Sequence, residues 1–201
     1  MTGLTGLTGS NVRRVPYDRA SLVDVAVRVF LERGYDRTSM EDLARAAGIT
    51  KSSFYHHVEG KEELLRAACD RALDRLFALT AEESARTGRA VDRFEHLLRR
   101  TTQTLVAELP YVTLLLRVRG NTAAEQHALE RRREFDRFAA GLVTAAAADG
   151  DLRADIDPPL ATRLVFGLVN SISEWYRAGG DISADDVCDA VVALVMRGLL
   201  R

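Results

Sequence analysis

The chain has 201 residues, of which 47% are hydrophobic and 28% are charged, and its formal net charge is −1. These values are ordinary for a globular protein, and the near-neutral charge argues against a protein that coats nucleic acid with its whole surface. No run of about 18 apolar residues occurs, so no transmembrane helix is expected. Cys69 and Cys188 lack the spacing of a metal site, and we expect reduced thiols in a cytoplasmic protein.

The N-terminus carries a Thr-Gly-Leu repeat, which is typical of low-complexity sequence, and it lacks the features of a secretion signal. We therefore predict a disordered arm over residues 1–15. The first helix is predicted over 17–33, where apolar residues recur at helical spacing.

The next segment, from Thr38 to Leu65, predicts two short helices separated by a glycine turn. Ser39 starts the first of these helices with a capping box that ends at Asp42, and Gly48 suits a left-handed helix end. Thr50 is placed to cap the second, which is polar at its front and aromatic at its back. This order is typical of a helix-turn-helix, whose second helix lies in the DNA major groove.

The rest of the chain predicts six further helices and no strand, because its apolar residues recur at helical rather than alternating spacing. Gly88, Pro110 and the Gly179-Gly180 pair separate some of these helices, and Ser183 is placed to cap the last. The predicted helices span residues 61–86, 91–108, 111–119, 122–148, 160–177 and 183 to near the C-terminus.

The pattern GY..TSM.DLA..AGITKSSFYHHV..KEEL, from Gly34 to Leu64, resembles the DNA-binding signature of the TetR family of bacterial repressors. Ser52 and Val58 depart from residues that are common in that signature. The resemblance implies an all-α fold with a three-helix DNA-binding head and a six-helix body for ligand binding and dimerisation. We place the head at residues 16–60 and the body at 61–201.

The resemblance also implies which residues meet DNA. Tyr55 and Lys61 hold family positions that contact backbone phosphates, while Arg13 and Arg14 in the arm are placed to reach the minor groove or the backbone. The alternatives are that this helix is an ordinary surface helix or that Tyr55 belongs to the core. The full predicted DNA-binding set is Thr38, Arg45, Lys51, Ser52, Ser53, Tyr55, His56 and Lys61.

The predicted body contains no catalytic motif, so we expect neither an enzyme nor a cofactor, and a cavity for a small effector is the better hypothesis. Asn170 stands out because a polar amide among apolar neighbours needs a partner, which is either a ligand or a residue across a dimer interface. For each residue of the predicted cavity wall, the alternative is that it is an ordinary core residue. The predicted wall consists of Tyr111, Leu114, Leu115, Val118, Phe135, Phe138, Leu142, Phe166, Asn170, Ser173 and Trp175.

The sequence EWYRAGGDISADDV, which begins at Glu174, resembles the C-terminal half of TetR regulators that control lipid or sterol breakdown and respond to acyl-CoA thioesters. The resemblance implies that Arg117, Arg119 and the run 131–133 hold the phosphates of a CoA headgroup. The alternatives are a solvated arginine face and a different hydrophobic effector.

The last two predicted helices carry more apolar surface than one small body needs, which predicts a homodimer through a four-helix bundle. The alternative is that these apolar stripes are entirely intramolecular core. The sequence thus predicts a repressor that binds a palindromic double-stranded operator and is released by a small hydrophobic effector. The alternatives are an activator, a DNA-binding protein that ignores ligands and, less favoured, a helical enzyme that binds a small molecule.

Overall fold

The computed structural model describes residues 18–153 and 155–200. The arm predicted over 1–15, with Arg13 and Arg14, lies outside the described residues, as does the start of the first predicted helix at Tyr17. Apart from one bridge between Leu152 and Leu200, the secondary structure of the described residues is helical. The helices are α1 (Arg19–Arg33), α2 (Met40–Ala47), α3 (Lys51–Tyr55), α4 (Lys61–Thr80), α5 (Glu83–Arg86), α6 (Ala90–Ala107), α7 (Leu109–Arg117), α8 (Ala123–Ala148), α9 (Pro158–Trp175) and α10 (Ala184–Leu199).

The all-α class and the three-helix head are confirmed, but the body differs from the prediction by one helix. The helix predicted over 61–86 stops at Thr80, and the short α5 follows as a separate element. The turn between α4 and α5 is stabilised by α6, because Glu82 in this turn accepts hydrogen bonds from His96 and from Arg100. The described body therefore contains seven helices rather than six.

The junction between α6 and α7 is tighter than predicted. Pro110 occupies the first turn of α7, where a missing N–H has no cost. Glu108 is the only residue between the two helices, so α7 is tied directly to the end of α6. At its other end α7 stops at Arg117, two residues before the predicted end, because Val118 is extended.

Capping explains where several helices begin. Ser39 and Asp42 form the predicted capping box of α2, and Ser183 forms another with Asp186 at α10. The Thr50 hydroxyl accepts the Ser53 amide at 3.1 Å, as predicted for α3. Gly48 ends α2 with a φ of 69°, a conformation that favours glycine. The helix-turn-helix thus follows from local chemistry.

Helix α4 joins the head to the body. It packs against α1 of the head and against α7 and α8 of the body. Leu64 and Leu65 are fully buried near its start, while Phe30 and Phe54 fill the core of the head. A change in the tilt of α4 would consequently be transmitted to the head. No helix in the described part of the chain has the length and apolarity needed to cross a membrane.

Candidate DNA interface and effector site

The exposed face of α3 carries most of the predicted DNA-binding residues. Phe54 is fully buried and anchors the helix to the head, which leaves Lys51, Ser52 and His56 in solvent. The Tyr55 side chain is also on this face and is 46% exposed, so the alternative of a core tyrosine does not describe it. Ser53 is half-buried, and its main-chain amide donates to the Thr50 hydroxyl. The arrangement presents a cation, hydroxyls and a phenol on one small surface.

Arg45 is a second exposed cation of the helix-turn-helix and lies on α2. Its guanidinium lies 3.4 Å from Glu41 and 3.7 Å from Asp42, and the arginine and Glu41 side chains are both exposed. Exposed ion pairs of this kind contribute little to stability. The guanidinium can therefore exchange these carboxylates for a phosphate without a large loss.

Thr38 does not fit the predicted set. Its side chain is buried, and its hydroxyl donates a hydrogen bond of 2.8 Å to the main-chain oxygen of Gly34. The prediction that this side chain contacts a phosphate is wrong for the arrangement seen here, because the hydroxyl stabilises the turn between α1 and α2.

Lys61 also has a different role in the structure from the one predicted. Its ammonium donates to the main-chain oxygens of Tyr35, Asp36 and Thr38 at 3.1, 3.4 and 3.2 Å. It also lies 4.4 Å from the centre of the Tyr35 ring. An ammonium has three hydrogens, and the α1–α2 turn takes all of them. Lys61 therefore joins the start of α4 to the head and is not directed at DNA.

Most of the predicted effector wall is filled core. Phe135 packs edge to face against both Phe77 and Phe166, with ring centres 6.1 and 5.8 Å apart. Leu115 and Leu142 are buried in the same core, and Phe138 packs against it half-buried. These residues mark where an apolar ligand would have to displace side chains.

The remaining wall residues fall elsewhere. Leu114 and Val118 line a cleft of about 320 Å³ between the head and the body, together with Arg117 and Arg119. Asn170 is half-buried on α9, and its main-chain oxygen accepts the Ser173 hydroxyl at 2.8 Å.

Trp175, the last predicted wall residue, does not belong to an internal wall. It ends α9, and its side chain is 49% exposed. The prediction that Trp175 lines the cavity is therefore wrong for the structure seen here.

Tyr111 belongs to a polar cluster rather than to the predicted wall. Its hydroxyl donates to Asp24 on α1 and accepts a hydrogen bond of 3.0 Å from Arg71 on α4. Arg71 also donates to Glu108 at 2.9 Å. We call Asp24, Arg71, Glu108 and Tyr111 the Arg71 brace. No local sequence pattern indicates it, because its members are distant in the chain.

The arginines assigned to a CoA headgroup are partly engaged. Arg131 binds Asp70 and Asp74 of α4 at 3.0 and 2.8 Å. Its guanidinium is therefore neither part of a solvated face nor free to bind a phosphate. Arg117 donates to the main-chain oxygen of Leu31 at 3.1 Å. Arg132 lies 3.5 Å from the main-chain oxygen of Leu115, while Arg119 and Arg133 are exposed. The five arginines do not share one set of contacts.

Helices α9 and α10 leave an apolar groove on the surface. Leu164 and Leu194 are 62% and 66% exposed, and Leu168 is also exposed. Val165, Val191 and Val195 on the same helices are buried within the chain. The alternative of wholly intramolecular stripes is therefore wrong, because only one side of each helix is covered. The groove measures about 220 Å³ and includes Ile156 and Leu199.

Two family models match the chain over the regions just described. Residues 22–68 match "Bacterial regulatory proteins, tetR family", and residues 87–199 match "Tetracyclin repressor-like, C-terminal domain". The chain belongs to the TetR family of transcriptional regulators. The predicted family is thereby confirmed, together with its helix-turn-helix head.

Individual transcriptional regulators resemble the chain over nearly its whole length. The HTH-type transcriptional repressor KstR2 of Rhodococcus jostii is 32% identical over 184 residues, covering 90% of each chain. The crystal structure of SCO3833, a TetR-family member from Streptomyces coelicolor A3, has 57% identity and a TM-score of 0.85, with 98% of this chain and 97% of that one covered. The HTH-type transcriptional activator FasR of Mycolicibacterium smegmatis is 28% identical, covering 95% and 89%. All three are described as transcriptional regulators rather than enzymes.

Proposed function

We propose that the chain is a dimeric repressor whose α3 helices bind a palindromic operator and whose body releases DNA when it takes up a small hydrophobic effector. The observation that carries this proposal is the exposed face of Lys51, Ser52 and Tyr55 on a head that is packed directly on α4. We keep Arg45, Ser53 and His56 as further DNA contacts. We also keep the domain division at 60 and 61, because Gly60 separates the head from the start of α4.

The groove on α9 and α10 supports dimerisation. Exposed leucines on two neighbouring helices would be covered if a second copy met them about a two-fold axis. The covered face would form an intermolecular four-helix bundle in which Leu164 and Leu194 are central. Such a dimer can place two α3 helices in successive major grooves about 34–36 Å apart, which requires a palindromic site.

The aromatic cluster of Phe77, Phe135 and Phe166 supports a hydrophobic effector. These rings fill the space between α4, α8 and α9, so a ligand that enters there must move the helices that carry them. Tenfold release from DNA needs only about 1.4 kcal/mol of preference for the released conformation. An acyl-CoA thioester remains the proposed class, with Arg119 and Arg133 available for its phosphates and Arg131 only after its ion pairs break.

An activator is the second proposed function, because one relative with nearly full coverage, FasR, is named as an activator. Deletion of the gene separates the two functions. Transcription from bound promoters rises in the deletion strain if the protein represses, and it falls if the protein activates.

The experiment that tests the proposal begins by selecting bound fragments from the genome that encodes the chain. The recovered fragment is then titrated by gel shift in the presence of octanoyl-CoA, octanoate or free CoA. We expect a nanomolar complex that octanoyl-CoA weakens at least tenfold, while free CoA does not. Failure to recover any specific fragment would overturn the proposed repressor. If octanoate weakens the complex and octanoyl-CoA does not, the proposal that the effector carries a CoA headgroup is overturned.

A further inference from the structure

We propose that the Arg71 brace positions the DNA-binding head, with Arg71 and Tyr111 as positioning residues for operator binding; this rests on the proposed function. The brace joins three elements that belong to different parts of the molecule. Asp24 lies on α1 in the head, Arg71 lies on α4, and Glu108 and Tyr111 lie at the start of α7 in the body.

Arg71 is the centre of the cluster. Its Nε donates to Glu108 at 2.9 Å, and its Nη1 lies 3.0 Å from the Tyr111 hydroxyl and 3.5 Å from Asp24. The guanidinium also stacks 4.0 Å from the centre of the Tyr111 ring. A planar guanidinium holds its donors in a rigid fork, whereas a lysine ammonium is a point charge on a flexible stem, so arginine fixes the relative positions of the carboxylates, the hydroxyl and the ring more tightly. The residue types at these positions therefore fix one geometry.

Tyr111 transmits the geometry to the head. Tyr111 is buried. Its burial and, to a smaller extent, its hydrogen bond to Asp24 raise the pKa of the phenol, so the hydroxyl stays protonated and donates. The hydrogen bond from the part-buried hydroxyl to the Asp24 carboxylate is charge-assisted, so breaking it costs free energy. Displacement of α7 relative to α1 would break the hydrogen bond between Tyr111 and Asp24 unless the head moved together with α7.

The brace is also connected to the proposed effector region. Leu114 and Leu115 follow Tyr111 by about one helical turn, and Leu115 is part of the body core. Glu108 immediately precedes α7, and its side chain accepts a hydrogen bond from Arg71. The contacts of Glu108 and of Tyr111 with Arg71 therefore move together with the first turn of α7. A ligand that shifts α7 would act on Asp24 through Tyr111.

The brace should narrow the range of head orientations. A dimer binds the operator only when both of its heads are oriented to fit the DNA. The apparent affinity for the operator is therefore reduced by the fraction of dimers that have this orientation. A broken brace therefore weakens DNA binding without touching the α3 face.

The test compares Tyr111→Phe with Tyr176→Phe. Both substitutions remove one hydroxyl from a buried tyrosine, but Tyr176 lies at the end of α9, away from the brace. We expect Tyr111→Phe to weaken binding to the selected genomic fragment by about tenfold, within the usual range of coupling between sites. Tyr176→Phe should leave that affinity unchanged, and both should sediment as the unsubstituted protein does.

Head orientation is measured without DNA. Spin labels at Arg37→Cys in the head and Arg133→Cys on α8 report the distance between head and body within one chain, after dilution with unlabelled protein. The natural Cys69 and Cys188 are buried and therefore protected from labelling. We expect a narrow distance distribution that Tyr111→Phe broadens and Tyr176→Phe does not.

A double-mutant cycle adds Asp24→Ala, which truncates a surface-exposed side chain and so keeps the test valid if Tyr111→Phe folds poorly. The two substitutions should be strongly non-additive, since both remove the same contact. Unchanged distance distributions in both variants would overturn the brace. An unsubstituted protein that binds no genomic fragment would overturn the proposed function, while the distance distributions would still decide the brace.

Discussion

The only two lysines of the chain, Lys51 and Lys61, show how the same residue type takes different roles within ten positions. The family resemblance placed both against DNA. Lys51 extends into solvent from the first turn of α3, whereas the carbonyls of the α1–α2 turn surround the Lys61 ammonium. The sequence predicted that Lys51 is exposed on α3, because α3 is locally encoded. It could not predict the contacts of Lys61, because the turn lies more than twenty residues earlier in the chain.

Lys51→Ala is predicted to weaken operator binding and to reduce the slope of log affinity against log salt by about one, because one cation no longer neutralises a phosphate. The measurement is fluorescence anisotropy at several salt concentrations. Arg137→Ala, which removes an exposed cation from α8, is the control and should change neither quantity. An unaltered affinity for Lys51→Ala would reject the assigned DNA face.

Lys61→Ala is predicted to act on stability instead. Its removal leaves the main-chain oxygens of Tyr35 and Thr38 without this donor, and the free energy of unfolding should fall by about 1–3 kcal/mol. Lys51→Ala should stay within about 0.5 kcal/mol of the unsubstituted protein, as is usual for surface changes. Urea unfolding checks both values. Equal stability of the two variants would contradict the role given to Lys61.

At the scale of elements, helix starts were easier to predict than helix ends. The structure confirms the predicted capping box at Ser39 and the predicted cap at Ser183, each of which acts over three residues. The end of α4 was missed because nothing local stops a helix at Thr80. The turn depends on Glu82, whose partners lie 14 and 18 residues further along.

The capping box of α2 also predicts a response to acid. Hydrogen bonds from the Ser39 hydroxyl and then from its amide hold the pKa of Asp42 below its usual value of 3.8. A carboxyl with a lowered folded pKa stabilises the fold above its unfolded pKa, and this stabilisation is lost as the pH falls through the folded value.

Ser39→Ala tests this response. It should cost about 1 kcal/mol near neutral pH and should flatten the loss of stability below about pH 4. Thermal unfolding between neutral pH and pH 3 is the measurement, with Ser171→Ala, an exposed serine within α9, as control. A variant that loses stability in acid as steeply as the unsubstituted protein would contradict the assignment.

For the whole molecule, the sequence predicted that α9 and α10 carry excess apolar surface, but not which residues are left uncovered. That division depends on how the two helices pack on α6 and α8, which no local pattern specifies. The effector wall was less well predicted for the same reason. Tyr111 and Trp175 are aromatic residues on largely apolar helices, yet one joins the brace and the other lies at the surface.

Leu194→Glu is predicted to convert the dimer to a monomer, because it places a charge in the centre of the apolar groove. Ile182→Glu is a matched control, since Ile182 is also exposed but does not line the groove. Sedimentation velocity should show half the mass for the first variant only. A dimer that persists in Leu194→Glu would place the interface elsewhere.

The central claim is that two α3 helices, held in a symmetric dimer, read one face of duplex DNA. The most direct measurement is the affinity for a selected operator before and after about five base pairs, half a helical turn, are inserted between its half-sites. We predict that the natural spacing binds one dimer tightly and that the insertion lowers affinity at least tenfold, since the second head then faces the wrong side. Equal affinity for both fragments, or one chain bound per fragment, would contradict the account.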